Sequence, residues 1–129
     1  GKVVTFKIGG TETIADIDIA MVAPTPKTEE FGTEAQLAAG LVQYARNCTV
    51  CHGPFAASAG ILPDLRWSAY TSSAEAWKGV VIDGNLQTIG MVSFADVLTE
   101  EEVESIRAYV VQQAYNPEGL APDASGGSK

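Results

Sequence analysis

Cys48-Thr49-Val50-Cys51-His52 is the stretch of sequence that decides what fold this chain is expected to adopt. Two thiols three residues apart can reach the two vinyl groups of one porphyrin, and the adjacent imidazole is then held under the iron. C-x-x-C-H is the spacing of this covalent haem attachment. Cys48 and Cys51 are therefore predicted to form two thioethers, with His52 as the first iron ligand. The expected cofactor is one haem c per chain.

Three other uses of the same residues have to be weighed. A C-x-x-C pair can be a redox dithiol, but reactive pairs lie at helix N-termini, where the dipole lowers the thiol pKa. Here a predicted helix precedes the motif. Zinc usually takes four protein ligands, and the chain has two Cys and one His in total. Buried structural cysteines beside an unrelated histidine are the third alternative. The complete five-residue pattern favours haem over all three.

The other face of the iron is constrained by the count of histidines. His52 is the only one, so ligation by two histidines of this chain is excluded. A thioether opposite histidine is the ligation that raises the reduction potential, and only Met21 and Met91 carry one. Met91 lies before the last predicted helix, far enough along the chain to reach the opposite face, and is predicted to be the ligand. The alternative for Met91 is a gap-filling core residue.

Four further residues are candidates for supporting the cofactor. A metal-bound histidine normally donates its second ring nitrogen to an oxygen acceptor, and the carbonyl of Pro63 is a candidate, although the proline could simply stiffen a turn. Arg66, Trp67 and Tyr70 can hydrogen-bond haem propionates, Arg66 with its charge as well. Each could equally be a surface or half-buried residue without that role.

Periodicity predicts a mainly helical chain in three parts. Residues 1–32 are read as a short β-strand at 1–10 followed by a Pro-rich linker. Residues 33–115 form the central domain. It contains a helix that runs from a capping box at Thr33 and Gln36 into the motif, a short helix at 74–82, and a last helix capped by Thr99 and Glu102. Residues 116–129 are expected to be a flexible tail. Gly40 and Tyr109 are predicted to mark the crossing of the first and last helices.

Composition restricts the partners. Sixteen acidic and eight basic residues give a net charge of −8, which argues against nucleic acid and favours a neutral or locally basic partner. No apolar run approaches the ~20 residues of a membrane span, so the chain is expected to be soluble, with any export signal removed or upstream. Because covalent haem of this kind is attached in oxidising extracytoplasmic compartments of bacteria, a periplasmic location is expected.

Residues 33–115 resemble a class I cytochrome c. The resemblance rests on Gly40 and Tyr44 in the helix leading into CTVCHG, then Pro63, then Gly90-Met91, then a capped final helix with Tyr109. It implies an all-α fold that wraps one haem and electron transfer with His52 and Met91 as axial ligands.

A narrower resemblance is carried by GILPDLRWS at 60–68, VVIDG at 80–84 and GMVSFADVLTEEEVESIRAYV at 90–110. These segments are similar to the C-terminal cytochrome domain of quinohaemoprotein alcohol dehydrogenases, and GKVVTFKIGG at 1–10 resembles the last strand of their propeller. The resemblance implies a pyrroloquinoline quinone (PQQ) propeller domain as electron donor and a small redox protein or membrane quinone as acceptor. The propeller is missing from this sequence, so the chain is not expected to catalyse a reaction by itself.

Two alternatives remain open at this point. One is a free-standing soluble periplasmic cytochrome c with an accessory N-terminal extension. The other is a haem enzyme or ligand sensor with an open sixth iron position, which requires that Met91 does not bind the iron.

Overall fold

The computed structural model describes residues 7–11, 23–58 and 60–116. Within these ranges the chain is helical and contains no β-strand. Most of the predicted strand at 1–10, Met21 and all but the first residue of the predicted tail at 116–129 lie outside the described residues; residues 7–10 form a turn in which Gly10 N–H donates to Lys7 O.

Four α-helices form the framework of the part of the chain that the structure describes. They are α1 (Glu34–Asn47), α2 (Thr49–His52), α3 (Ala74–Val81) and α4 (Glu100–Tyr115). Residues 53–58 and 60–72 contain three short 3-10 helices (Pro54–Ala56, Leu65–Trp67 and Ala69–Ser72), and a fourth, Gln87–Ile89, precedes Met91. The prediction that one helix runs into the motif needs a correction, because α1 ends at Asn47 and the motif forms the separate helical turn α2.

Helix α4 begins as its sequence predicts. The Thr99 side chain accepts from Glu102 N–H and the Glu102 carboxylate accepts from Thr99 N–H, so both hydrogen bonds of the capping box are present. At α1 the Thr33 hydroxyl accepts from Gln36 N–H, and the reciprocal bond from Gln36 is not among the described contacts. Both arrangements satisfy amide groups that the first helical turn leaves without partners.

The first and last helices cross at Gly40. A Cβ at this position would overlap Ser105 O on α4 and lie 3.0 Å from the Cβ of Tyr109, so only glycine allows this approach of the two backbones. One turn further along α1, the ring of Tyr44 packs on that of Tyr109 with 5.2 Å between centroids. The predicted helix crossing is therefore confirmed.

Helix α4 is the centre of the core. Its apolar stripe, Val103, Ile106, Val110 and Ala114, is buried, and so are most of the residues between these positions. This is because α1, α3 and the 3-10 helices surround it. Trp77 of α3 donates its indole N–H to Val103 O at 3.1 Å and is 4% exposed. The buried cluster around these contacts is completed by a set of apolar residues: Tyr44, Ala56, Val81, Leu98, Ile106, Tyr109 and Val110.

The end of the Pro-rich segment lies against α4. The Tyr115 hydroxyl donates to Thr28 O at 3.1 Å, and the Arg107 guanidinium lies 4.1 Å from the centroid of the Phe31 ring. Arg107 is buried and also donates to Thr71 O at 2.9 Å. The chain leading into α1 is thus attached to the helical body through α4.

Candidate functional site

The two cysteines and the histidine of the motif share one helical turn. Cys48 caps the end of α1 and begins α2, and its carbonyl accepts from the N–H groups of Cys51 and His52 at 3.1 and 2.9 Å. Residues i, i+3 and i+4 lie on one face of a helix, so the two thiols and the imidazole are presented on the same side. Gly53, with φ 76°, ends the turn immediately after His52.

The ring of His52 is held from one side by Pro63. His52 is 8% exposed, and its Nδ1 lies 3.0 Å from Pro63 O. Because a carbonyl oxygen can only accept, this contact requires the proton on Nδ1 and leaves the lone pair of Nε2 available for a metal. The structure therefore places in contact the two residues that the sequence pairs as ligand and orienting carbonyl.

The environment of Cys48 is unlike that of a redox dithiol. Burial, with a smaller contribution from neighbouring Cys51, raises the pKa of the Cys48 thiol to about 12. Reactive dithiols carry a lowered thiol pKa, because the thiolate is the attacking species. This shift in the opposite direction argues against the dithiol alternative.

The described residues also offer little to zinc. Across residues 7–11, 23–58 and 60–116, no group of three or more His, Cys, Asp or Glu side chains is placed to bind a metal ion. The donor set around the motif is instead two thiols, one imidazole and, elsewhere in the chain, a thioether.

Met91 lies in the segment between the 3-10 helix at 87–89 and α4. Gly90, in the left-handed conformation with φ 104°, ends that short helix, and Met91 N–H donates to Leu86 O at 3.2 Å. The Met91 side chain is partly buried against the same core cluster that Cys48 contacts. The structure thus brings the attachment turn and this methionine to one core.

The three candidate propionate donors lie on consecutive 3-10 turns. Arg66 donates through Nε and Nη2 to the carboxylate of Asp64, at 3.0 and 2.6 Å, and its side chain is 11% exposed. Trp67 and Tyr70 are 40% and 42% exposed. Arg66 is thus already paired within its own turn, while the two aromatic side chains face outward.

The loops that flank His52 and Met91 expose large apolar side chains. Val50 in the attachment turn, Ile61 before Pro63, and Ile89 beside Met91 are 93%, 98% and 78% exposed. A haem presents two apolar faces, which side chains of this kind can cover. The donor set, the tautomer of His52 and these loops together fit a haem.

Sequence reasoning missed the part that Tyr44 plays beside the motif. Its hydroxyl donates to Gly53 O at 2.7 Å. The helical spacing of Tyr44 predicts a core ring, and nothing in the local sequence indicates a partner for the hydroxyl.

An all-α chain whose first and last helices cross at a glycine, and which presents a C-x-x-C-H turn beside its core, has the architecture of a cytochrome c. The family model described as "Cytochrome C oxidase, cbb3-type, subunit III" matches residues 35–110. The chain belongs to this cytochrome c family. As a member, it binds haem c covalently and serves as an electron-transfer domain.

The quinone-dependent alcohol dehydrogenases to which the chain is similar are much longer proteins. The chain is 33% identical, over 98% of its own length and 17% of the relative, to "Alcohol dehydrogenase (quinone), dehydrogenase subunit" of Gluconobacter oxydans. It is 42% identical, over 62% of its length and 11% of the relative, to "Quinohemoprotein alcohol dehydrogenase ADH IIB" of Pseudomonas putida. The solved structure of quinohemoprotein alcohol dehydrogenase ADHIIG from Pseudomonas putida HK5 matches with a TM-score of 0.67 and 31% identity, covering 89% of this chain and 16% of that one. The chain thus spans less than a fifth of each.

Among the described residues, no helix is both long enough and apolar enough to cross a membrane.

Proposed function

We propose that this chain is the monohaem electron-transfer domain of a periplasmic PQQ-dependent alcohol dehydrogenase. In this proposal it takes electrons one at a time from a PQQ-containing domain and passes them to an external acceptor, a small redox protein or a membrane quinone. The observation that carries the haem part of the proposal is the contact between His52 Nδ1 and Pro63 O, which leaves Nε2 free on the turn that also holds both cysteines.

Four side chains would hold the cofactor. Cys48 and Cys51 would form the thioethers, and His52 and Met91 would be the iron ligands. Bound in this way, the haem supplies one-electron chemistry between ferric and ferrous iron. Met91 packs against the same core cluster as Cys48. Ligation by Met91 would exclude a haem enzyme or sensor, because either requires an open sixth position.

The protein's own contribution is rigidity and partial exclusion of water. No bond of a substrate is made or broken in electron transfer, so the ligand geometry should change little between the two oxidation states. Helix α4, whose Val103, Ile106 and Val110 are at most 1% exposed, supplies a stiff support for the attachment turn. Trp67 and Tyr70, with Arg66, would then contact the haem propionates from the outer turns.

A PQQ domain as the electron donor is supported by the length of the sequence match to an alcohol dehydrogenase subunit. The Gluconobacter relative matches 98% of the chain, so the match includes most of residues 1–32 as well as the proposed cytochrome domain at 33–115. A free-standing cytochrome c would need no such similarity ahead of its first helix. Docking with a soluble acceptor should be small and transient, as in other redox encounters.

The proposal is tested by reduction of the haem with alcohol in the full-length gene product. With no external acceptor present, a primary alcohol should convert the ferric haem spectrum to the ferrous one. The same protein prepared without PQQ is the matched control and should stay ferric. If the complete protein stays ferric with alcohols but is reduced by dithionite, the proposed donor is wrong. A gene product that begins just before Gly1 with its own export signal would favour the free-standing cytochrome.

A further inference from the structure

We propose that Tyr44 is a positioning residue that fixes the orientation of His52 and thereby lowers the reduction potential of the haem. This inference rests on the proposed role of His52 as an iron ligand. It concerns the hydroxyl group of Tyr44, which lies at the junction of α1, the attachment turn and the loop behind it.

Tyr44 holds both ends of the attachment turn. Its carbonyl accepts from Cys48 N–H at 2.9 Å and from the Thr49 hydroxyl at 3.4 Å, at the start of the turn. Its own hydroxyl donates to Gly53 O at 2.7 Å, directly after His52. One residue therefore holds both ends of the turn, the start through its backbone carbonyl and the end through its side-chain hydroxyl.

Tyr44 is itself rigidly held. It is 1% exposed, and its ring packs against Tyr109 at the crossing of α1 and α4. Burial raises the pKa of the Tyr44 phenol well above its ordinary value. The group therefore stays protonated and remains a hydrogen-bond donor across the physiological range.

The backbone that follows the acceptor Gly53 is strained. Gly53 has φ 76°, and the next residues include Phe55 and Ala56 with φ 57° and 60°. Residues with a Cβ rarely adopt such angles, and the conformation persists only where surrounding contacts impose it. The Tyr44 hydroxyl is one such contact, and the complete burial of Ala56 in the core cluster is another.

His52 is held at two points, its backbone and its ring. Its backbone is fixed through Gly53, and its ring is fixed by Pro63 O at 3.0 Å. If the turn after Gly53 relaxes, His52 and Pro63 move relative to one another and the Nδ1–H···O bond weakens. A histidine that donates a strong hydrogen bond is a more basic ligand and stabilises ferric iron. Loss of the Tyr44 hydroxyl should therefore raise the reduction potential.

The experiment compares Tyr44→Phe with Tyr109→Phe in the haem-loaded protein. Tyr109→Phe is the matched control, because it removes a hydroxyl from the other ring of the same buried pair, and the described contacts include no hydrogen bond from that hydroxyl to the motif. The readouts are the reduction potential and the paramagnetically shifted proton resonances of the haem methyls and the His52 ring in the ferric state. Tyr44→Phe should raise the potential and change the spread of the methyl shifts. Tyr109→Phe should leave both at the wild-type values.

Equal shifts in the two variants, or none in Tyr44→Phe, would overturn the inference. If Tyr44→Phe does not incorporate haem, exchange of the Tyr44 hydroxyl proton is measured in the wild-type protein instead. Slow exchange supports the inference, and exchange at the rate of a solvent-exposed phenol refutes it. A wild-type protein without paramagnetically shifted His52 resonances would contradict the proposed ligation itself, so the two failures are distinguishable.

Discussion

Replacing Gly40 with alanine should separate α1 from α4. The new Cβ would overlap Ser105 O and lie 2.7 Å from the carbonyl carbon of Ser105. Carbon atoms in contact normally lie about 3.5–4.0 Å apart, so the helices must move by roughly 1 Å. Overpacking of this kind costs about 1–3 kcal/mol, and a variant that must displace a backbone should have a cost near the upper end of this range. The better helix propensity of alanine returns about 1 kcal/mol. The expected net loss is about 2 kcal/mol, or roughly 8 °C in Tm for a domain of this size.

The assay is thermal and guanidinium unfolding of the haem-loaded protein, followed by far-UV circular dichroism. Gly79→Ala in α3 is the matched control, because its Cβ would meet only the side-chain amide of Asn85, whose nitrogen lies at 2.7 Å, and that group can rotate away. The control should change the free energy of unfolding by less than about 1 kcal/mol, since the gain in helix propensity offsets the rearrangement. If Gly40→Ala is as stable as the wild type, or if the two variants lose the same stability, the close helix crossing is not what requires glycine.

Three further changes test other parts of the account. Met91→Ala should lower the reduction potential and alter the ferric absorption spectrum, since a thioether ligand raises the potential; an unchanged spectrum and potential would exclude Met91 as a ligand. Trp77→Phe should cost about 1 kcal/mol in denaturant unfolding, because it removes the buried hydrogen bond from the indole N–H to Val103 O; a loss within error would show that this hydrogen bond is dispensable. The Thr99 N–H and hydroxyl hold the pKa of Glu102 below its ordinary value, so this stabilisation is present at neutral pH and is lost as the pH falls through the lowered folded pKa. Thr99→Ala should cost about 1 kcal/mol at neutral pH and remove only part of the loss of stability in acid, because the N–H of residue 99 remains; a variant as stable as the wild type at neutral pH would contradict the assignment.

The helical part of the fold was largely predictable from local sequence patterns. The last helix carries a capping box and an apolar stripe, and both are local patterns, so its start at Thr99 and its buried face were predictable. The crossing at Gly40 was predictable because a glycine and an aromatic residue at helical spacing are typical of close helix contacts. The break between α1 and α2 at Cys48 was not, because the sequence continues with no Gly or Pro until Gly53.

The site was predictable to the extent that it depends on spacing. The motif itself indicates two thioethers and one imidazole, and the absence of a second histidine directs attention to methionine. The contacts that hold these groups depend on tertiary structure. The bond from Tyr44 to Gly53 forms because α1 runs beside the loop after the motif, and the pairing of Arg66 with Asp64 depends on a 3-10 turn that has no periodic signal.

The central claim, that Cys48 to His52 attach one haem, is tested most directly by the intact mass of the chain matured in the periplasm, together with its denaturing haemochrome spectrum. The account predicts the mass of the polypeptide plus one haem, retained after acid-acetone extraction, and the spectrum of a haem with two saturated vinyl groups. The mass of the polypeptide alone with two titratable thiols, or a haem that the solvent removes, would contradict it.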